Sequence, residues 1–191
     1  MIAAPARQIT AADLIGARVE RLVRAAALAS IAHAGQFRRG GVVPYFSHPE
    51  AVAAIVARFL PDDADAIAAA YLHDVVEDCG VAPEEIAREF GPAVAAGVLA
   101  LSKVPALSKV PGLPVDGYRA GLAAAPGWVA SVKCADIIHN AGDVELLPAF
   151  ALRWLPGKIA DLEVLGHADP AIYAEACAVV ARALAVASHA A

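Results

Sequence analysis

Tyr71-Leu72-His73-Asp74-Val75-Val76-Glu77-Asp78 decides how this chain is read. It puts one histidine and three carboxylates within six residues, in a chain of 191 residues of which only 18% are charged. If one helix runs from Pro61-Asp62-Asp63 through Asp78, His73 and Glu77 fall at i,i+4, as do Asp74 and Asp78, with Asp74 and Glu77 at i,i+3. All four side chains then share one broad face, within reach of a single point. Tyr71, Leu72, Val75 and Val76 turn towards a core. A solvated helix pairs its acids with bases. No base is near in sequence, and a divalent cation is the simplest compensation for the charge.

The rest of the chain supplies a frame for such a centre. Hydrophobic residues make up 59% of it; much of that is alanine, which favours helix. β-branched runs bounded by turns are almost absent, so an all-α fold in a single domain spanning 1–191 is expected. No apolar run approaches the roughly 20 residues of a membrane span, and no signal-peptide pattern opens the chain. Both point to a cytoplasmic protein with no membrane partner. The net charge of −5 argues against nucleic-acid binding. Cys79, Cys134 and Cys177 are odd in number and far apart, which fits neither a disulfide framework nor a structural zinc site. Each is expected as a small buried residue, with Cys79 partly exposed.

Helix signals follow in order. Thr10-Ala-Ala-Asp13 reads as a capping box, with a helix to about Ala34 and a stop at Gly35. Gln36 to Tyr45 is a loop rich in glycine, with Arg38 and Arg39 adjacent. Ser47-His48-Pro49-Glu50 reads as Ser47 capping a helix through Leu60, which puts His48 in a first turn. Pro83 and Pro92 each open a short helix. Ala100-Leu-Ser-Lys-Val-Pro105 then repeats as Ala106-Leu-Ser-Lys-Val-Pro111, which reads as a loop extension carrying Lys103 and Lys109. Pro114 to Ala125 is expected to be helical, and Trp128 to Leu146 forms a longer helix. On that helix Lys133, Asp136 and Asn140 share one face of an apolar cylinder, where an aspartate is costly unless paired or bound to metal. Pro156-Gly157 reads as a break, leaving helices over about 158–165 and 169–187 that serve only packing.

The candidate ligands are therefore His48, His73, Asp74 and Asp136. Two imidazoles and two carboxylates suit Mn²⁺, Fe²⁺ or Zn²⁺, with positions open for water and a phosphate oxygen. Glu77 is placed to orient a water and Asp78 to act as its acid/base partner. Arg38, Arg39 and the lysines can hold outer phosphates. That combination describes a phosphoester hydrolase.

The ordered strings His48, His73-Asp74 and Asp136 resemble the H…HD…D pattern of the HD-domain phosphohydrolase superfamily. Ala32-His33-Ala34-Gly35-Gln36, Pro44-Tyr45-Phe46-Ser47-His48-Pro49, Leu72 to Asp78, and Lys133-x-Ala135-Asp136-x-x-His139-Asn140 narrow the likeness. Together they resemble the hydrolase domain of RelA/SpoT-type proteins, and the chain is similar to stand-alone small alarmone hydrolases. The likeness spans about 25–144. It implies a bundle of roughly eight to ten helices around a metal, and Mn²⁺-dependent removal of the 3′-pyrophosphate from ppGpp or pppGpp. By motif position it implies His48, His73, Asp74 and Asp136 as metal ligands and Glu77 with Asp78 as the catalytic acids. Arg38 and Arg39 would lie at the guanine and phosphate side, and Asn140 near the sugar. Tyr45, Lys133 and Lys103 join the substrate-binding set, and His33 supports the site from behind or packs. The partner implied is a small guanine nucleotide, with a homodimer left open. Another phosphorylated nucleotide such as NADPH is the alternative substrate, and a non-catalytic nucleotide-binding protein the alternative class. Ile137 stands where the family usually has a basic residue.

Overall fold

The computed structural model describes residues 10–103, 117–146 and 148–189. It is all-α: α1 (Ala11–Ala32), α2 (Ser47–Phe59), α3 (Ala64–Leu72), α4 (Val75–Cys79), α5 (Pro83–Phe90), α6 (Pro92–Leu101), α7 (Gly117–Ala124), α8 (Gly127–Leu146), α9 (Pro148–Leu162) and α10 (Pro170–His189). Among the described residues the only strand-like feature is an isolated antiparallel bridge, Phe37 to Pro44.

Helix α3 is the wall around which the others pack. Ala66, Ile67, Ala68, Ala69, Ala70 and Leu72 are all buried, and their small size lets α1, α2, α6 and α8 approach closely. One apolar cluster lies on the α2, α8 and α10 side and includes Val52, Val56, Ile137 and Ile172. A second, on the α1, α5 and α6 side, includes Leu72, Val75, Ile86 and Val98. Gly97 of α6 lies under the Trp128 indole, so tightly that a Cβ there would run into the ring.

Several expectations are met. Thr10 and Asp13 form the capping box, and proline opens α5 and α6. Others are corrected. The helix over 61–78 is interrupted: α3 ends at Leu72, His73 and Asp74 form a turn, and α4 restarts at Val75. Ser47 is the first helical residue and not a side-chain cap; its hydroxyl turns back to donate to the Pro44 carbonyl at 2.8 Å. Helix α9 continues through Pro156, because buried residues on both sides of it, Leu155, Lys158, Asp161 and Leu162, anchor one continuous face. Cys134 is buried and Cys79 partly exposed, as expected, whereas Cys177, expected to be buried, is only half-buried.

The span 170–188 is long and apolar enough to cross a membrane by length and composition, contrary to the expectation that no run comes near. In this fold its Ile172, Ala176, Val180, Ala183 and Ala187 are buried in the larger cluster. The duplicated hexapeptide lies largely outside the described residues, including Lys109; its first copy begins helical, since Ala100 and Leu101 close α6.

Candidate metal centre and active site

Three helices meet at one point. His48 comes from the first turn of α2, His73 from just past the end of α3, and Asp136 from the middle of α8, and all three are buried. One ligand atom from each lies within 4.8 Å of the others. The Nε2 atoms of His48 and His73 are 3.2 Å apart, and His48 Nε2 is 3.2 Å from Asp136 Oδ1. Asp74 joins from the side, its Oδ2 3.0 Å from His73 Nε2 and 3.6 Å from His48 Nε2. The break between α3 and α4 points both His73 and Asp74 inward.

The imidazoles are oriented from behind. His73 Nδ1 donates to the Ala70 carbonyl at 2.8 Å, which leaves Nε2 to present a lone pair at the centre. His48 Nδ1 is 2.8 Å from His139 Nδ1, so one of that pair donates to the other. Asp136 is the hub. Its Oδ2 accepts from Lys133 Nζ at 2.6 Å, and its Oδ1 accepts from the Asn140 side-chain amide. Asp74 Oδ2 accepts from the Tyr45 hydroxyl at 2.6 Å. Two imidazole nitrogens and a buried carboxylate oxygen, with Asp74 alongside, form a donor set that fits a divalent cation.

The electrostatics agree. Burial disfavours charge at both imidazoles. At His48 burial wins and its pKa is lowered; at His73 it is outweighed by Asp74 and then Asp136, which hold the pKa up at about 9. Burial opposes ionisation of Asp136 too, but Lys133 and then His48 keep its carboxyl well below the usual range. His73 does the same for Asp74.

Glu77 and Asp78 are exposed at the rim of this cluster, and Asp78 shares the Tyr45 hydroxyl with Asp74. Glu77 Oε2 accepts from the Lys103 backbone N–H at 2.7 Å. The Asp78 pKa is raised by burial, by Asp74 and by Glu77. On one flank Arg38 donates to Asn140 Oδ1 at 3.0 Å, and its guanidinium lies 5.7 Å from the centre of the Tyr45 ring. Its loop is a tight turn, with Arg38 N–H donating to the Val43 carbonyl at 2.7 Å. Gly40 and Gly41 there adopt φ 96° and 75°, values that glycine tolerates without strain. Arg39 is exposed at the loop tip. His33 lies outside the cluster, 4.6 Å from Tyr45 ring to ring, with Nδ1 2.8 Å from Gln36 Oε1.

The other flank holds residues that sequence reasoning missed. Lys158 and Asp161 of α9 are buried and paired at 3.1 Å, and Arg119 donates to Asp161 at 3.0 Å. Helix α9 is thus more than packing. A lysine three residues before an aspartate is common on solvated helices, and only its burial beside Lys133 marks it out. His139 was visible in its motif string, but its place against His48 depends on how α2 meets α8.

The model of the family described as HD domain matches residues 25–149. Among curated proteins, the chain is 48% identical over 80 residues to a guanosine-3′,5′-bis(diphosphate) 3′-pyrophosphohydrolase of Haemophilus influenzae, covering 42% of this chain and 12% of that protein. A probable enzyme of the same name from Synechocystis is 39% identical over 145 residues, covering 74% of this chain and 19% of that protein. The bifunctional (p)ppGpp synthase/hydrolase SpoT of Escherichia coli is 40% identical over 90 residues, covering 47% and 12%. The chain therefore spans less than a fifth of the length of these relatives. A solved structure, described as "A metazoan ortholog of SpoT hydrolyzes ppGpp and plays a role in starvation responses", superposes with a TM-score of 0.72 at 19% identity. The match covers 93% of this chain and 98% of that one, and it shows a shared fold.

Proposed function

The chain belongs to the HD-domain family, and from that premise we propose that it is a metal-dependent hydrolase that removes the 3′-pyrophosphate of ppGpp or pppGpp, leaving GDP or GTP. The observation that carries this reading is the convergence of His48 Nε2, His73 Nε2 and Asp136 within 4.8 Å, beneath an exposed Glu77-Asp78 pair. The names of the relatives supply the substrate class. His48, His73, Asp74 and Asp136 would hold the cation, for which manganese is our choice. When bound, it would polarise a phosphoryl group and acidify a water towards neutral pH.

The chain's own residues do the rest. Glu77 is held at one oxygen by the Lys103 N–H, and its other oxygen is left to orient the attacking water and take its proton. The water oxygen bonds to the phosphorus attached to the 3′ oxygen, and that P–O bond breaks. Asp78, whose carboxyl is pushed above its ordinary pKa by burial and then by Asp74 and Glu77, supplies the proton to the departing 3′ oxygen. Arg38, with Asn140 and Tyr45, forms a wall for the nucleoside side of the substrate, with Arg39 beside it. Lys133 and Lys103 face the phosphates from the opposite flank. Purified manganese-loaded protein should release pyrophosphate from ppGpp and stop on chelation. Turnover of NADPH with none of ppGpp would keep the metal chemistry and refute the substrate.

A further inference from the structure

Helix α1 keeps an apolar edge that the described body of the protein does not cover. Its Ala25 and Ala29 are buried in the cluster that includes Ala68 and Ala69 of α3. Ile15, Val19 and Val23, by contrast, are 64%, 54% and 62% exposed. Ala12, Ile15, Val19, Leu22 and Ala26 follow one another at spacings of three, four, three and four, which is the a/d seam of a coiled coil. Along this edge α1 and α2 flank an apolar groove of about 330 Å³, with Val19, Val23 and Ala26 on one wall and Ala54 and Ala57 on the other. A contiguous exposed apolar patch marks an interaction surface, whereas isolated exposed side chains do not. Gly16 has nothing within 4 Å of where its Cβ would be. Nothing described in its own chain requires glycine there, at a position where it weakens the helix.

The charges beside the seam are ordered along it. Arg18 and Arg21 are paired with Asp62 and Asp65 of the same chain. On the other flank Asp13, Glu20 and Arg24 share one face at spacings of seven and four, the acids towards the start of the helix and the base towards its end, with Glu20 and Arg24 exposed.

We infer that this seam packs against the same seam of a second copy of the chain, the two α1 helices running antiparallel about a twofold axis. In the a-to-d register Val19 of one copy lies beside Leu22 of the other, and Ile15 beside Ala26. Arg24 of each copy then falls level with the middle of the interval between Asp13 and Glu20 of the other, so acid meets base twice. Parallel helices would instead set Glu20 against Glu20 and Arg24 against Arg24. The missing side chain at Gly16 lets Val23 of the other copy approach, and the alanines of α2 leave the groove open beside the seam. Leu22 and Ala26, half-buried at present, would be closed off from water. The pairing is independent of the chemistry at the metal centre.

The test is sedimentation velocity of the full chain between about 1 and 300 µM, where a small interface of this kind should show a reversible monomer–dimer equilibrium. Val19→Glu places a charge in the seam at a side chain already half in water. The monomer should therefore fold and melt as before at the lowest concentration, while dimerisation weakens at least about tenfold. Arg24→Glu sets acid against acid and should weaken the dimer several-fold at low salt, and adding Glu20→Arg to it should recover part of that loss. A protein that stays monomeric over the whole range leaves the edge to some other partner and overturns the proposal. A dimer that Val19→Glu leaves intact uses another face and overturns it as well.

Discussion

Loading the centre with a divalent cation should expel about one proton from the protein at neutral pH. The perturbation is the metal itself, and the group that answers is His73. Its Nδ1 proton is engaged by the Ala70 carbonyl, so Nε2 is both the ligand atom and the site of the second proton. Asp74 and Asp136 hold that second proton with a pKa of about 9, against the cost of burial. At pH 7 the ring stands about two units below this value, so freeing Nε2 costs about 2.7 kcal/mol, or about 100-fold in apparent metal affinity. His48 contributes no proton, because its pKa is shifted the other way, first by burial. Affinity should therefore rise about tenfold per pH unit up to about pH 9 and then level off.

Calorimetry with manganese in buffers of different ionisation enthalpy reads the released proton directly. The stability of the metal-free protein should follow the same group. A pKa raised in the folded state stabilises fully below the ordinary histidine value of about 6.5, and that contribution is lost as pH climbs through about 9. The melting temperature of the metal-free protein should fall across that window, and Asp74→Asn should flatten the fall by removing the main counter-charge. Metal affinity that stays constant from pH 6.5 to 9, with no proton released, would refute the electrostatic reading of the centre.

Three further outcomes are expected. Glu77→Gln keeps an acceptor for the Lys103 N–H but cannot take a proton, so kcat should drop at least about 100-fold with nucleotide binding retained; turnover near wild type would remove Glu77 from the mechanism. Asp136→Ala deletes the carboxylate hub and leaves Lys133 buried beside the histidines; elemental analysis should find the metal lost, and undiminished metal would show that the ligand set is wrong. Gly97→Ala drives a methyl into the Trp128 ring, and thermal or urea unfolding should show a loss of about 1–3 kcal/mol from overpacking, whereas unchanged stability would mean that α6 and α8 part easily.

Much of this molecule is legible in its sequence because its signals are local. The capping box at Thr10, the prolines that open α5 and α6, and the alanine-rich periodicity each act within one or two turns. The structure departs from the reading where distant contacts override local preference. Nothing between Ala64 and Cys79 is a helix breaker by propensity, yet the helix yields at His73 and Asp74. The groups they face, His48 from α2, Asp136 from α8 and the Tyr45 hydroxyl from the loop before α2, are all remote in sequence. The acidic motif thereby divides, two residues inward and two at the rim. At Pro156 the opposite occurs. Local preference favours a break, but burial of Leu155 and Lys158 on either side holds α9 together.

The same division explains why the candidate ligands could be found by pattern and the buried Lys158-Asp161 pair of α9 could not. A ligand set is recognised by residue type: histidine and aspartate in an apolar helix have few other reasons to be there. Lysine, arginine and tyrosine have many, and a Lys-x-x-Asp spacing on α9 looks like an ordinary solvated pair. Burial changes its meaning, since an exposed ammonium is compensated by water and a buried one must find an anion. Lys158 has half of Asp161, shared with Arg119, and sits in the fields of Lys133 and Lys103.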